Sequence, residues 1–313
     1  MRAHAVLRWL FFSTTLVYLF SAGSNFSSGD SFSELHVTDS LLSHGWIDVP
    51  IQKAGQLCAG WGCQGADGRF YSTHGIGYSL FLIPFYLIAK AFDAIHPVPA
   101  CSSLTYCVPV HLISWNTSLL TALMVTLLCR FSLDLGYSLR RSLLVSLLYG
   151  FASLAWPYAR FGFDVTLTGL LLLLAVREAW LATAGDGRND AHGSSIAYAE
   201  DGPTVTHSVS TAVADIPRNA AQGDSTAVRH WFLAGALSAL AILVRLPSIA
   251  AIAPLAVVCI IWLVRSPSVP KLRGFIGFSI PVLIAIGFSG WYNLVRFGSL
   301  LDDGHRLNAA DHL

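Results

Sequence analysis

Long apolar runs separated by short polar ones dominate the chain. Residues 5–23, 75–93, 108–130, 142–157, 165–184, 231–247, 249–265 and 274–293 are each apolar over a length near one helical bilayer crossing, which takes about 20 residues. The first run follows Arg2 and contains Arg8, and it ends without an A-x-A cleavage site. It is therefore expected to be an uncleaved span with its N-terminus inside. Two polar stretches interrupt the pattern. Residues 24–74 are rich in Gly and Ser, and 185–230 are rich in Ala, Ser, Thr, Gly and Asp with few large apolar residues. The second stretch cannot bury a core, so a disordered cytoplasmic linker is expected there.

Eight spans conflict with the placement of charge. Arg130, Arg140 and Arg141 flank one short connection, and Arg265, Lys271 and Arg273 flank another. Both should be cytoplasmic by the positive-inside rule. They share that side only if 75–93 does not cross but lies in the outer interface. Pro84 within that run, and Lys90, Asp93 and His96 at its end, favour that placement. The expectation is an all-α integral membrane protein of seven transmembrane helices, N-terminus inside and C-terminus outside. A large first outer loop, 24–107, belongs to an N-terminal membrane part, 1–184. The linker 185–230 follows, then a C-terminal membrane part, 231–313, with an outer tail.

Composition agrees with that class. Hydrophobic residues make up 54% and charged residues 12%, against about a quarter charged in soluble domains. A net charge of +1 gives no reason to expect a nucleic-acid partner. Of six cysteines, Cys129 and Cys259 fall in apolar runs. Cys58 with Cys63 and Cys101 with Cys107 share the outer loop, where two local disulfides or four thiols are the alternatives. Neither spacing is that of a zinc knuckle.

Four polar groups converge on the outer face of the seven-span arrangement. Asp30 and Glu34 are four residues apart, on one face of any helix that starts the loop. A carboxylate in a cavity near the membrane can have a raised pKa and accept a proton from a hydroxyl. The alternative is a pair of solvated surface acids. Arg160 and Asp164 occupy a connection so short that both must lie at the membrane surface. Asp164 would also serve simply as a helix cap. Arg245, before Pro247 at the outer end of a span, suits a lipid phosphate, and snorkelling explains it as well. His74 sits in Y-S-T-H-G-I-G, whose glycines let backbone approach a ligand, and it could meet a phosphate or a metal or be structural. Tyr292, Asn293 and Arg296 end the last span, where aromatic and basic anchors are expected anyway. Asp302, Asp303 and His305 could bind a divalent ion, but they close no ligand set. There is no G-x-S-x-G or H-E-x-x-H, against a membrane esterase or protease.

The order of these pieces resembles the GT-C-type membrane glycosyltransferases that use polyprenyl-phosphate sugars, the protein mannosyltransferase and aminoarabinose transferase branch included. GDSFSELHVTDSLLSHGWIDVP is similar to the family's first outer loop, and GRFYSTHGIGYSLFLIPFYLIAK to the segment that closes it. LAGALSALAILVRLPS and WYNLVRFGSLLDDGH resemble a later span and the exit from it. The resemblance implies a GT-C core with interfacial helices in its first outer loop. It implies transfer of a sugar from a polyprenyl-phosphate-linked donor to a hydroxyl of a glycan, lipid or protein acceptor.

Asp30 would then hold the position of the catalytic loop acid, and Asp164 that of the second-loop acid, which assists or binds a divalent metal. Arg245 would contact the carrier phosphate. Glu34, His74, Arg160, Tyr292 and Asn293 complete the expected substrate site. The expected place is a bacterial inner membrane with the active face outside. Two departures stand out. Ser31 follows Asp30 where many relatives have a second acid, and the chain ends about where the seven-span core of such enzymes ends. A truncated or inactive glycosyltransferase, and a lipid-phosphate transporter without chemistry, are the rival expectations.

Overall fold

In a computed structural model the chain is almost entirely helical. The structure describes residues 2–22, 29–50, 58–59, 62–95, 108–194, 209–265 and 267–304. Ten helices are described: α1 (Arg2–Ser21), α2 (Gly29–His44), α3 (Ile76–Ile95), α4 (Val108–Asp134), α5 (Leu139–Ala152), α6 (Ala155–Phe161), α7 (Asp164–Ser194), α8 (Val209–Val244), α9 (Ser248–Arg265) and α10 (Val269–Phe297). Three short antiparallel strands, β1 (Cys58–Ala59), β2 (Gly62–Gln64) and β3 (Phe70–Tyr71), stand in order between α2 and α3. A disulfide joins Cys58 and Cys63, which are paired across β1 and β2. The expected pair Cys101–Cys107 lies outside the described residues.

Six helices are long and apolar enough to cross a bilayer: α3, Leu112–Asp134 of α4, Asp164–Ala184 of α7, Ser225–Val244 of α8, α9 and α10. α5 and α6, bent by 55° at Ser153–Leu154, make a seventh if taken together. The chain therefore reads as an integral membrane protein with six or seven candidate spans, against the seven expected. Their membership differs. The run 142–157 is two helices, and α3, expected in the interface, belongs to the set while α1 does not. Tyr78, Leu82, Tyr86 and Ala89 form the inward stripe of α3, and Leu80, Leu87, Ile88, Lys90 and Ile95 face outward, a mostly apolar surface that a crossing helix and an interfacial helix can both present to lipid. α1 carries Arg8, Ser13, Thr14 and Thr15 within its apolar run. It runs antiparallel to α4, with Leu7 and Leu10 against Val125 and Cys129, and Tyr18 against Ala122.

The chain packs as two units. One comprises residues 1–173, 240–248 and 285–313, and the other 174–239 and 249–284. In the first, α4 is central and packs on α1, α3, α5 and α6. Hydroxyls knit it to α6, since Thr117 and Ser118 both donate to the Ala159 carbonyl. In the second, Trp231 packs on Trp262 and Phe278 with ring centroids 5.6 and 5.7 Å away. Helix enters the 185–230 insert from both sides, to Ser194 and from Val209, which an unstructured linker did not include. Extending an existing helix avoids the cost of nucleation and needs no core.

Candidate functional site

α2 is buried almost all round from Ser31 to Thr38, although it is rich in polar residues. Small hydroxylated side chains allow that. Thr38 Oγ1 donates to both the Glu34 and Ser79 carbonyls at 2.9 Å, pinning α2 to α3. Asp30 and Glu34 share a helical face, as their spacing predicts. Their environments differ sharply: the Asp30 side chain is 52% exposed, and Glu34 is 1% exposed. Burial pushes the Glu34 carboxyl well above its usual range, Asp164 and Asp30 push it further, and Arg245 opposes them.

His74 is held by a tight turn before α3. Its N–H donates to Ser72 Oγ at 3.1 Å, and its ring Nε2 lies 3.3 Å from Asp30 Oδ1. Gly75 and Gly77 follow. A Cβ on Gly77 would fall 2.6 Å from the Val244 nitrogen. The glycines thus admit the backbone of α8, not a ligand. Asp164 starts α7 after Gly162, whose φ of +74° ends α6 in the left-handed conformation. Only 2% of Asp164 is exposed, and its Oδ1 accepts from Arg245 at 3.2 Å.

These elements bring Glu34, His74 and Asp164 together, with one potential ligand atom from each lying within 4.8 Å of the others. Both oxygens of Glu34 and Oδ2 of Asp164 are buried without a hydrogen-bond partner. Buried carboxylate oxygens are costly unless hydrogen-bonded, protonated or bound to a cation. Two carboxylates and an imidazole therefore fit a divalent ion. Beside them lies a cavity of about 140 Å³, with Asp30, His74, Arg245, Tyr292, Asn293 and Arg296 in its wall.

Seven of the eight residues expected from sequence meet here: Asp30, Glu34, His74, Asp164, Arg245, Tyr292 and Asn293. Arg160 is placed apart from both groups. It lies over the Phe161 ring on α6, its Nε buried without an acceptor. Arg296, read from sequence as a surface anchor, is 2% exposed and central. Its guanidinium lies 3.8 Å from the centre of the Tyr292 ring. It donates to the carbonyls of Ser72 and His74 and, at 2.7 Å, to Asn293 Oδ1. It ties the His74 turn to the end of α10, so Tyr292 and Asn293 hold Arg296 as well as line the cavity. The only sequence signal was its place in Y-N-x-x-R. Also missed was Tyr78, whose hydroxyl bonds Asn116 Oδ1 at 3.0 Å and the Gly162 carbonyl at 3.3 Å.

Compared with family models, with curated proteins and with solved structures, the chain matches none.

Proposed function

We propose that the chain is a membrane glycosyltransferase, moving a sugar from a polyprenyl-phosphate carrier to an acceptor hydroxyl at the outer face of a bacterial inner membrane. The observation that carries this reading is the meeting of the first-loop acids, Asp30 and Glu34, with Asp164, His74 and Arg245 around one cavity. The half-exposed Asp30 accepts the acceptor's hydroxyl proton as its oxygen bonds the sugar's anomeric carbon. The bond from that carbon to the carrier phosphate breaks, its electron pair leaving on the phosphate oxygen. Arg245, with 39% of its side chain exposed, balances the charge that develops there. His74 orients the Asp30 carboxylate through their contact.

Glu34, His74 and Asp164 would hold a divalent ion. Such an ion would supply Lewis-acid stabilisation of phosphate charge. Asp164, paired to Arg245, fixes that guanidinium toward the cavity.

The test is Asp30→Asn in reconstituted membranes containing a polyprenyl-phosphate sugar and a hydroxyl acceptor. Loss of a general base costs about 10²–10⁴-fold in rate, with the protein still folded. Full transfer by the folded variant would sink the reading and favour a lipid-phosphate transporter.

A further inference from the structure

The segment that follows α10 brings a further carboxylate to the cavity. α10 ends at Phe297, and Gly298, at a φ of +73°, turns the chain back. Residues 299–304 then run beside the helix they have just left, with Asn293 Nδ2 donating to the Leu300 carbonyl at 3.5 Å. This strap is anchored at Gly304, whose φ is +91° and whose N–H donates to Asp302 Oδ1 at 2.9 Å. A Cβ on Gly304 would fall 2.8 Å from Phe297 Cζ and 3.0 Å from Thr73 Cγ2. Glycine therefore lets the strap close against the His74 turn.

The two neighbouring acids of the strap take different tasks. Asp302 closes the turn, whereas Asp303, half-buried, stands in the cavity wall with Asp30, Arg245 and Asn293. Arg296, itself fixed by the Ser72 and His74 carbonyls and by Asn293 Oδ1, attracts the Asp303 carboxylate and so helps to set its place. An ionised carboxylate accepts hydrogen bonds and donates none. The phosphate of a lipid carrier is an acceptor too, and repels it. Hydroxyl donors fit instead, and neighbouring hydroxyls of a sugar ring can present one to each carboxylate oxygen. With Asp30 facing the acceptor hydroxyl and Arg245 the phosphate, the sugar ring is the part of the donor still to be held.

We propose that Asp303 is the sugar-recognition residue of the cavity, accepting hydrogen bonds from ring hydroxyls of the transferred sugar. The assignment rests on the reading of the cavity as a glycosyl-phosphate site. It makes the strap 298–304 part of the substrate site, and Gly304 the residue that positions it.

Binding to the full chain in non-ionic detergent, measured with two kinds of phosphodiester of equal charge, tests it. One is farnesyl phosphate esterified to mannose, glucose, galactose or arabinose in turn, and the other is farnesyl methyl phosphate. The parent should bind at least one sugar ester about tenfold more tightly than the methyl ester, the scale of one hydrogen bond to a charged group. Asp303→Asn should abolish that gain and leave the affinity for the methyl ester unchanged. Asp302→Asn, which removes the neighbouring charge but keeps the oxygen that Gly304 bonds, should retain the gain. A gain that survives Asp303→Asn would overturn the proposal. So would an equal loss for both esters, which would make Asp303 a structural counter-charge only. If Asp303→Asn does not fold, Asp303→Glu decides the matter, because it keeps the charge beside Arg296 and displaces the acceptor oxygens; the gain should again be lost. A parent that binds the methyl ester but gains nothing from any sugar overturns the assignment of Asp303 alone. A parent that binds neither ester sinks the glycosyl-phosphate reading together with it.

Discussion

The two units differ in the polar atoms they leave unsatisfied. Around α2 and the start of α7, the buried atoms without partners among the described residues include the carboxylate oxygens of Glu34 and Asp164, beside the hydroxyls of Ser33 and Thr166. In the middle of α8 and near the end of α9, they include the indole N–H groups of Trp231 and Trp262. Each orphaned group costs about 1–3 kcal/mol if it stays unpaired. Acceptors without donors ask for a proton or a cation, and donors without acceptors ask for an anion. The carboxylate oxygens thus point to a proton or a cation, whereas the indoles are orphaned donors inside an aromatic core, and each can be attacked separately.

The largest expected effect is on metal binding. Glu34→Gln removes a ligand charge from the acidic cluster, and stabilisation by added Mn²⁺ or Zn²⁺ should disappear. In metal-free protein the same variant should unfold no more easily than the parent, or be stabilised by about 1–3 kcal/mol, because the buried carboxyl no longer has to take up a proton or carry an unpaired charge on folding. Chelator-treated and metal-loaded samples compared by chemical denaturation read both effects. Metal stabilisation that survives Glu34→Gln would remove the cation from the comparison.

Next comes the link between distant segments that shapes the acidic site. Arg296→Met removes donors from the Ser72 and His74 carbonyls and from Asn293. Loss of a buried network of this kind should cost about 3 kcal/mol or more. A stability change under about 1 kcal/mol would show that the His74 turn holds without it.

How far these regions could be read from sequence depends on where each residue's partners lie. Asp30 and Glu34 were legible because four-residue spacing is a local property of a helix. Asp164 and Arg245 were legible because short connections between apolar runs pin a residue to the membrane surface. The burial of Glu34 was not, since α2 is buried by elements far along the chain. Nor was Arg296, whose carbonyl partner Ser72 lies 224 residues earlier. Charge at the ends of a run is visible in sequence, but which side of α3 faces inward emerges only from its packing. In the second unit, Lys271 read as an ordinary cytoplasmic charge because nothing local predicts that Trp262 covers it.

A smaller effect separates the two outcomes open to the Glu34 oxygens. The folded carboxyl titrates above its ordinary value of 4.5, so the native state binds more protons than the unfolded chain above that pH. Stability without metal should therefore fall as pH rises from about 4.5 toward the folded pKa. The metal requires the deprotonated carboxylate, so saturating metal should flatten or reverse that slope. Denaturation at pH 5 and pH 7.5, with and without metal, measures it. A slope equal to that of Glu34→Gln under both conditions would assign the pH dependence to another group.

The smallest expected effect belongs to the second unit. Trp231→Phe removes the orphaned N–H while keeping an aromatic ring against Trp262 and Phe278. The lost packing atoms should cost about 1 kcal/mol, and removing an unsatisfied donor should return a similar amount. In non-ionic detergent the net change should therefore be close to zero, and denaturation curves of parent and variant measure it. A loss of about 3 kcal/mol would mean that the indole already has an acceptor, and the contrast between the two units would fail on the donor side.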